Sequence, residues 1–148
     1  MLKSSNSDNI HFVKLDINED VLSTITKYLV DNNIRTATLN AIGVIKDIEI
    51  GYYDLHAGKY LVKKIEEDME LLSLTGNVGI LNGEIHPHIH VVLSGKDLNC
   101  VGGHLLKAKV GVTCELFINA NKMDLERLYD DNIKLNLLTP LKAGVKKC

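Results

Sequence analysis

Asn82-Gly83-Glu84-Ile85-His86-Pro87-His88-Ile89-His90-Val91-Val92-Leu93-Ser94 reads as a tight turn feeding a strand, and a five-residue loop, Gly95-Lys96-Asp97-Leu98-Asn99, leads into a second strand-like run from Cys100. Asn-Gly is a strong hairpin-turn signal. Side chains alternate faces along a strand, so His86, His88 and His90 share one face and Ile85, Ile89, Val91 and Leu93 the other. Pro87 has no N–H to give to a ladder, so it marks an edge or the start of the paired region. That puts His86 at the mouth and His88 and His90 within the sheet. If Ser94 pairs with Cys100, then His90 lies opposite His104 and His88 opposite Leu106. Directly opposed Cβ atoms lie about 5 Å apart, so His88, His90 and His104 are expected to converge. Gly102-Gly103 permits a bulge that would re-aim the His104 ring.

Outward from this hairpin, the chain continues to read as strands. Residues 71–81 form an apolar run with Gly76 and Gly79 inside it, as in a central strand with a bulge. Residues 48–55 and 60–65 flank a turn at His56-Ala57-Gly58-Lys59. Residues 11–17 and 35–43 alternate apolar with polar positions, each a strand with one buried face. Between them, Val21, Leu22, Ile25, Tyr28 and Leu29 repeat at helical spacing. Asn18 is the expected cap of that helix, with Glu19 and Asp20 in its first turn. Residues 122–138 admit a helix or a last hairpin turning at Asp130-Asp131-Asn132, and the hairpin is preferred. One helix among many strands predicts an α+β fold on a largely antiparallel sheet. Residues 10–141 are expected to form a single domain, with flexible segments at 1–9 and 142–148.

The chain has 148 residues, an ordinary size for one domain able to bury a core without disulfides. Its net charge of −2 argues against a broad electrostatic footprint on DNA. Lys107 and Lys109 share a strand face, which reads as a solvated face or a small phosphate contact. Cys100, Cys114 and Cys148 are an odd number with no CxxC spacing. Cys100 and Cys114 are expected to be buried, and Cys148 to lie on a mobile tail. This usage and the absence of an apolar leader predict a reducing, cytoplasmic setting with no membrane partner.

Three imidazoles with a fourth position open is the pattern of a ligand-exchanging or catalytic zinc site, and imidazole also suits nickel, copper and iron. The competing reading is three histidines satisfied by hydrogen bonds. If a metal is present, Glu84, His86 and Glu115 are the candidates for an outer shell or for acid–base work, although strict alternation turns Glu115 away from His104. Both glutamates also read as surface charges. His11 and His56 read as ordinary surface residues. No GxSxG, Ser-His-Asp pattern or phosphate-cradling glycine loop is present.

Pro87-His88-Ile89-His90-Val91-Val92-Leu93-Ser94, then Val101-Gly102-Gly103-His104-Leu105-Leu106 and Val112-Thr113-Cys114-Glu115, resemble the core signature of the plants-and-prokaryotes-conserved (PPC) domain. Ala41-Ile42-Gly43 and the stretch from Glu70 to Gly76 match in order and spacing. The resemblance implies an α/β sandwich on an antiparallel sheet, assembled as a homotrimer. Plant members follow DNA-contacting AT-hooks, while prokaryotic members are mostly the isolated domain, provisionally labelled DNA-binding. Here there is no Arg-Gly-Arg hook core. The plant partner-contact motif Gly-Arg-Phe-Glu-Ile-Leu is replaced by Glu67-Asp68-Met69-Glu70-Leu71-Leu72. Two functions therefore stand side by side: a trimeric, DNA-associated regulatory module, and a metal-dependent small-molecule-binding protein or enzyme.

Overall fold

The computed structural model describes residues 3–141. In chain order it contains β1 (Lys3–Ser7), β2 (Ile10–Leu15), α1 (Val21–Asp31), β3 (Thr36–Asp54), β4 (Lys59–Ile65), β5 (Met69–Leu81), β6 (Glu84–Ser94), β7 (Cys100–Asn121), β8 (Leu125–Asp130) and β9 (Leu135–Pro140). All nine strands join one sheet, antiparallel throughout except for a parallel contact of β5 with β8 at Ile80 and Glu126. This is the α+β, largely antiparallel architecture that the alternating pattern predicts.

β3 and β7 organise the sheet. Both are long, at 19 and 22 residues, and they pair with each other from Thr36↔Asn121 to Gly51↔His104. The sequence suggests two strands where β3 runs as one. Register shifts around Gly43 and beyond Lys46 absorb the interruption, and Asp47 takes a positive φ of 50°. Extra residues on one strand bend it and increase its twist without ending it. The bend lets β6 pair with β5 on one side and β7 on the other. The succession β7–β3–β5–β6–β7 thus closes a ring of pairings around Leu39, Leu71, Leu74, Ile89 and Leu93, each at most 2% exposed.

The helix packs against β6 and β7 and buries Val21, Ile25, Tyr28 and Leu29. Asp20, rather than Asn18, is its cap, accepting a hydrogen bond from the Ser23 amide at 2.8 Å. Asn18 adopts a left-handed φ of 70° and its amide is bound by the Val110 carbonyl at 2.9 Å, so it turns the chain one step too early to cap. Among the described residues, no helix is long and apolar enough to cross a membrane.

Other departures concern exposure. Within the segment read as flexible, Lys3–Ser7 pairs with β2 as an edge strand whose side chains are all exposed. His11 is buried, not superficial: its Nδ1 lies 3.1 Å from the Tyr28 hydroxyl. Cys100 is exposed, whereas Cys114 is buried and its thiol is pushed up to about 12, chiefly by that burial. Cys148 and the tail at 142–148 lie outside the described residues.

Candidate metal centre

The histidine hairpin is built from both ends. At one end Asn82 and Gly83, with φ of 51° and 87°, turn β5 into β6. Two consecutive positive φ angles suit the right-handed twist of the flanking strands. At the other end the loop from Gly95 to Asn99 sets Ser94 across from Cys100, and the ladder runs without a slip to His90↔His104. Beyond that pair β7 leaves β6 for β3, so the expected pairing of His88 with Leu106 does not form, and His88 pairs only on its other edge, with Asn77 of β5. Nor do Gly102 and Gly103 form a bulge. A Cβ on Gly102 would lie 2.7 Å from the Val91 carbonyl oxygen, and one on Gly103 would lie 2.8 Å from that of Gly51. The glycines allow neighbouring backbones to approach where β7 parts from β6.

His88, His90 and His104 meet at this parting. One ring nitrogen from each lies within 4.8 Å of the other two, and the Nε2 atoms of His88 and His90 are 3.2 Å apart. Tetrahedral ligation at roughly 2.0–2.1 Å sets ligand nitrogens about 3.3 Å apart, so that pair is already spaced for one ion. The Nδ1 of His104 is buried with no hydrogen-bond partner, and the His104 ring packs on Tyr60 with centroids 5.1 Å apart. Buried polar atoms are rarely left unsatisfied. Three convergent imidazoles, one of them orphaned, therefore suit a metal ion as the missing partner.

Electrostatics agrees. Burial first, then the Arg127 guanidinium and the neighbouring imidazoles, lowers the His88 pKa to about 4. Burial and the adjacent charges lower His104 as well, and burial with Arg127 lowers His86. These rings are held neutral at physiological pH, the state in which imidazole ligates.

The other candidates fall into place around this trio. His86 shares a cavity of about 370 Å³ with His88, His104, Tyr60, Asn77 and Arg127. Glu84 is exposed at the start of β6, paired with Leu81. Glu115 lines a different cavity with Ile42, Leu72 and Phe117. His56 is exposed in the β3–β4 turn. Arg127 carries no signal in the sequence that ties it to the histidines. It comes from β8, and its guanidinium donates to the Asn77 carboxamide oxygen, 50 positions away in the chain.

The model of the Plants and Prokaryotes Conserved domain matches residues 2–122, most of the chain, and this chain belongs to that family. Among solved structures it is similar to a plant- and prokaryote-conserved protein from Pyrococcus horikoshii, at 29% identity and TM-score 0.83, covering 96% of each chain. It is also similar to a metal-containing protein from Archaeoglobus fulgidus, at 34% identity and TM-score 0.82, covering 94% of this chain and 96% of that one. A third neighbour, provisionally described as DNA-binding, comes from Ralstonia eutropha, at 25% identity and TM-score 0.86, covering 93% of this chain and 95% of that one. No curated protein matches.

Proposed function

We propose that this chain is a metal-dependent small-molecule-binding domain in which His88, His90 and His104 hold one divalent ion, zinc, and leave a coordination position open. The observation that carries this reading is the convergence of the three imidazoles within 4.8 Å. A bound ion would supply Lewis acidity, polarising a carbonyl or activating a water. The chain's own part is to present neutral imidazoles at the edge of a cavity lined by leucines. The likeness to a metal-containing archaeal protein points the same way. Metal analysis of protein purified without a histidine tag tests it. One zinc per chain is expected, absent from a His88→Ala, His90→Ala, His104→Ala variant. Metal-free protein that takes up no added zinc, or a triple variant that keeps it, would overturn the assignment.

The same reading includes a homotrimer. Ile42, Leu72 and Phe117 are each about half exposed around one cavity on the sheet, at 57%, 49% and 54%. Contiguous apolar surface of this kind usually marks an interface. A second copy of the chain is the occupant that the family resemblance supplies. Sedimentation equilibrium should give three times the 16.4 kDa chain mass, and a stable monomer would remove this part of the reading. Association with DNA, the description given to the Ralstonia neighbour, would pass through partners, given the net charge of −2.

A further inference from the structure

Arg127 is buried with only 7% of its surface exposed. Its Nη2 donates to the Asn77 side chain and its Nη1 to the Asn136 carbonyl at 3.4 Å, while Nε is buried with no partner. The ion pairs among the described residues join Lys14 to Asp16, Lys27 to Asp31, Lys64 to Glu49 and Lys109 to Asp47, and none reaches it. The guanidinium is thus a buried cation held only in part, by neutral oxygens, in the wall of the cavity that also holds His86, His88 and His104. Isolating such a charge from a counterion is costly. An arginine is also costly to retain where a neutral side chain would serve packing alone.

The rest of the wall indicates what completes the pair. Leu81, Leu135, Leu137 and Leu138 make it largely aliphatic, so the ligand has an apolar body. Its one fixed positive charge in the wall is a planar fork that matches a carboxylate. Apart from the proposed ion, the wall offers no second cationic side chain of the kind that commonly joins an arginine on a phosphate.

We propose that this cavity binds a small organic carboxylate, its head group paired with Arg127 and its aliphatic body against the β8–β9 leucines. The inference deepens the metal reading by naming the ligand class, and it rests on that reading only for what the ion then does to the bound molecule. Residue 127 lies beyond the segment matched by the family model.

Calorimetric titration of the intact protein with pentanoate and with pentanamide, each with and without zinc, tests it. Pentanoate should bind and pentanamide should bind at least about tenfold more weakly, as loss of a charge-assisted hydrogen bond implies. Arg127→Met and Arg127→Gln should lose pentanoate by a similar factor while keeping the wild-type zinc content. Equal binding of acid and amide, tighter binding of inorganic phosphate, or full pentanoate affinity in either variant would overturn the proposal. So would the absence of pentanoate binding with and without zinc. The acid-to-amide comparison uses wild-type protein alone, so a variant that misfolds does not blunt the test. Zinc content, measured separately, reports on the metal reading whichever way the titrations fall.

Discussion

His90 stands directly across from His104 in the β6–β7 ladder, at the last pair before β7 turns away to β3. His104 is therefore held by two strands at once, β6 and β3, and β6 itself offers it the His88–His90 pair on the same sheet face. The site is an outcome of where the ladders divide, so substitutions near the division should be read out in metal binding before they are read out in folding.

His90→Ala should cost more zinc affinity than His86→Ala. Outer partners of a metal site typically contribute 10–100-fold, so loss of His90 should exceed about 100-fold and loss of His86 should stay below it. Competition against a chromophoric chelator measures both. A larger effect from His86 would move that ring into the ligand set.

Metal-free protein should lose stability as the pH falls from 6.5 towards 4. The His88 pKa is lowered in the fold to about 4 from an ordinary value of 6.5, so in this window the unfolded chain takes up a proton that the folded chain refuses. Stability from this group is complete above 6.5, declines through the window and changes no further below about 4. Thermal melts of chelator-treated protein should show the fall, and a His88→Asn variant should lessen it, leaving the share of His86 and His104.

Gly76→Ala should destabilise the fold by about 1–3 kcal/mol, the usual cost of overpacking. The added Cβ would lie 2.6 Å from the His88 carbonyl oxygen, which the β5–β6 ladder holds in place. Urea denaturation measures the loss, and a neutral result would mean that the β5–β6 ladder yields easily at this point.

The isolated chain should form no complex with duplex DNA tighter than about 10 μM at about 150 mM salt, because non-specific binding needs several cations placed on phosphates. Fluorescence anisotropy with a labelled duplex checks this. A tighter complex that weakens steeply with salt would overturn it.

The histidine hairpin was legible because its information is local. Period-two alternation sorts the rings to one face, and a loop of fixed length sets His90 against His104. What escaped was what distant segments decide. His11 looked superficial because nothing near it reveals that Tyr28, 17 positions on, caps its ring. β3 looked broken at residues 44–47 because bulges and turns share the same residues. Arg127 was invisible because only the parallel contact of β5 with β8 brings it to Asn77. Glu115 needed no such contact, since alternation already turned it away from His104.

All three imidazoles lie between residues 88 and 104 on the outer face of the ring, whereas the ring itself is tied as far away as Thr36↔Asn121. A hairpin forms in about 1–10 μs, and sheets dominated by non-local pairings take milliseconds to seconds. The trio can thus come together while most of the ring is still open, and the cavity wall brought by β8 and β9 is completed later. An ion captured early would clasp the nascent hairpin in its final register and act as a template for the strands that follow.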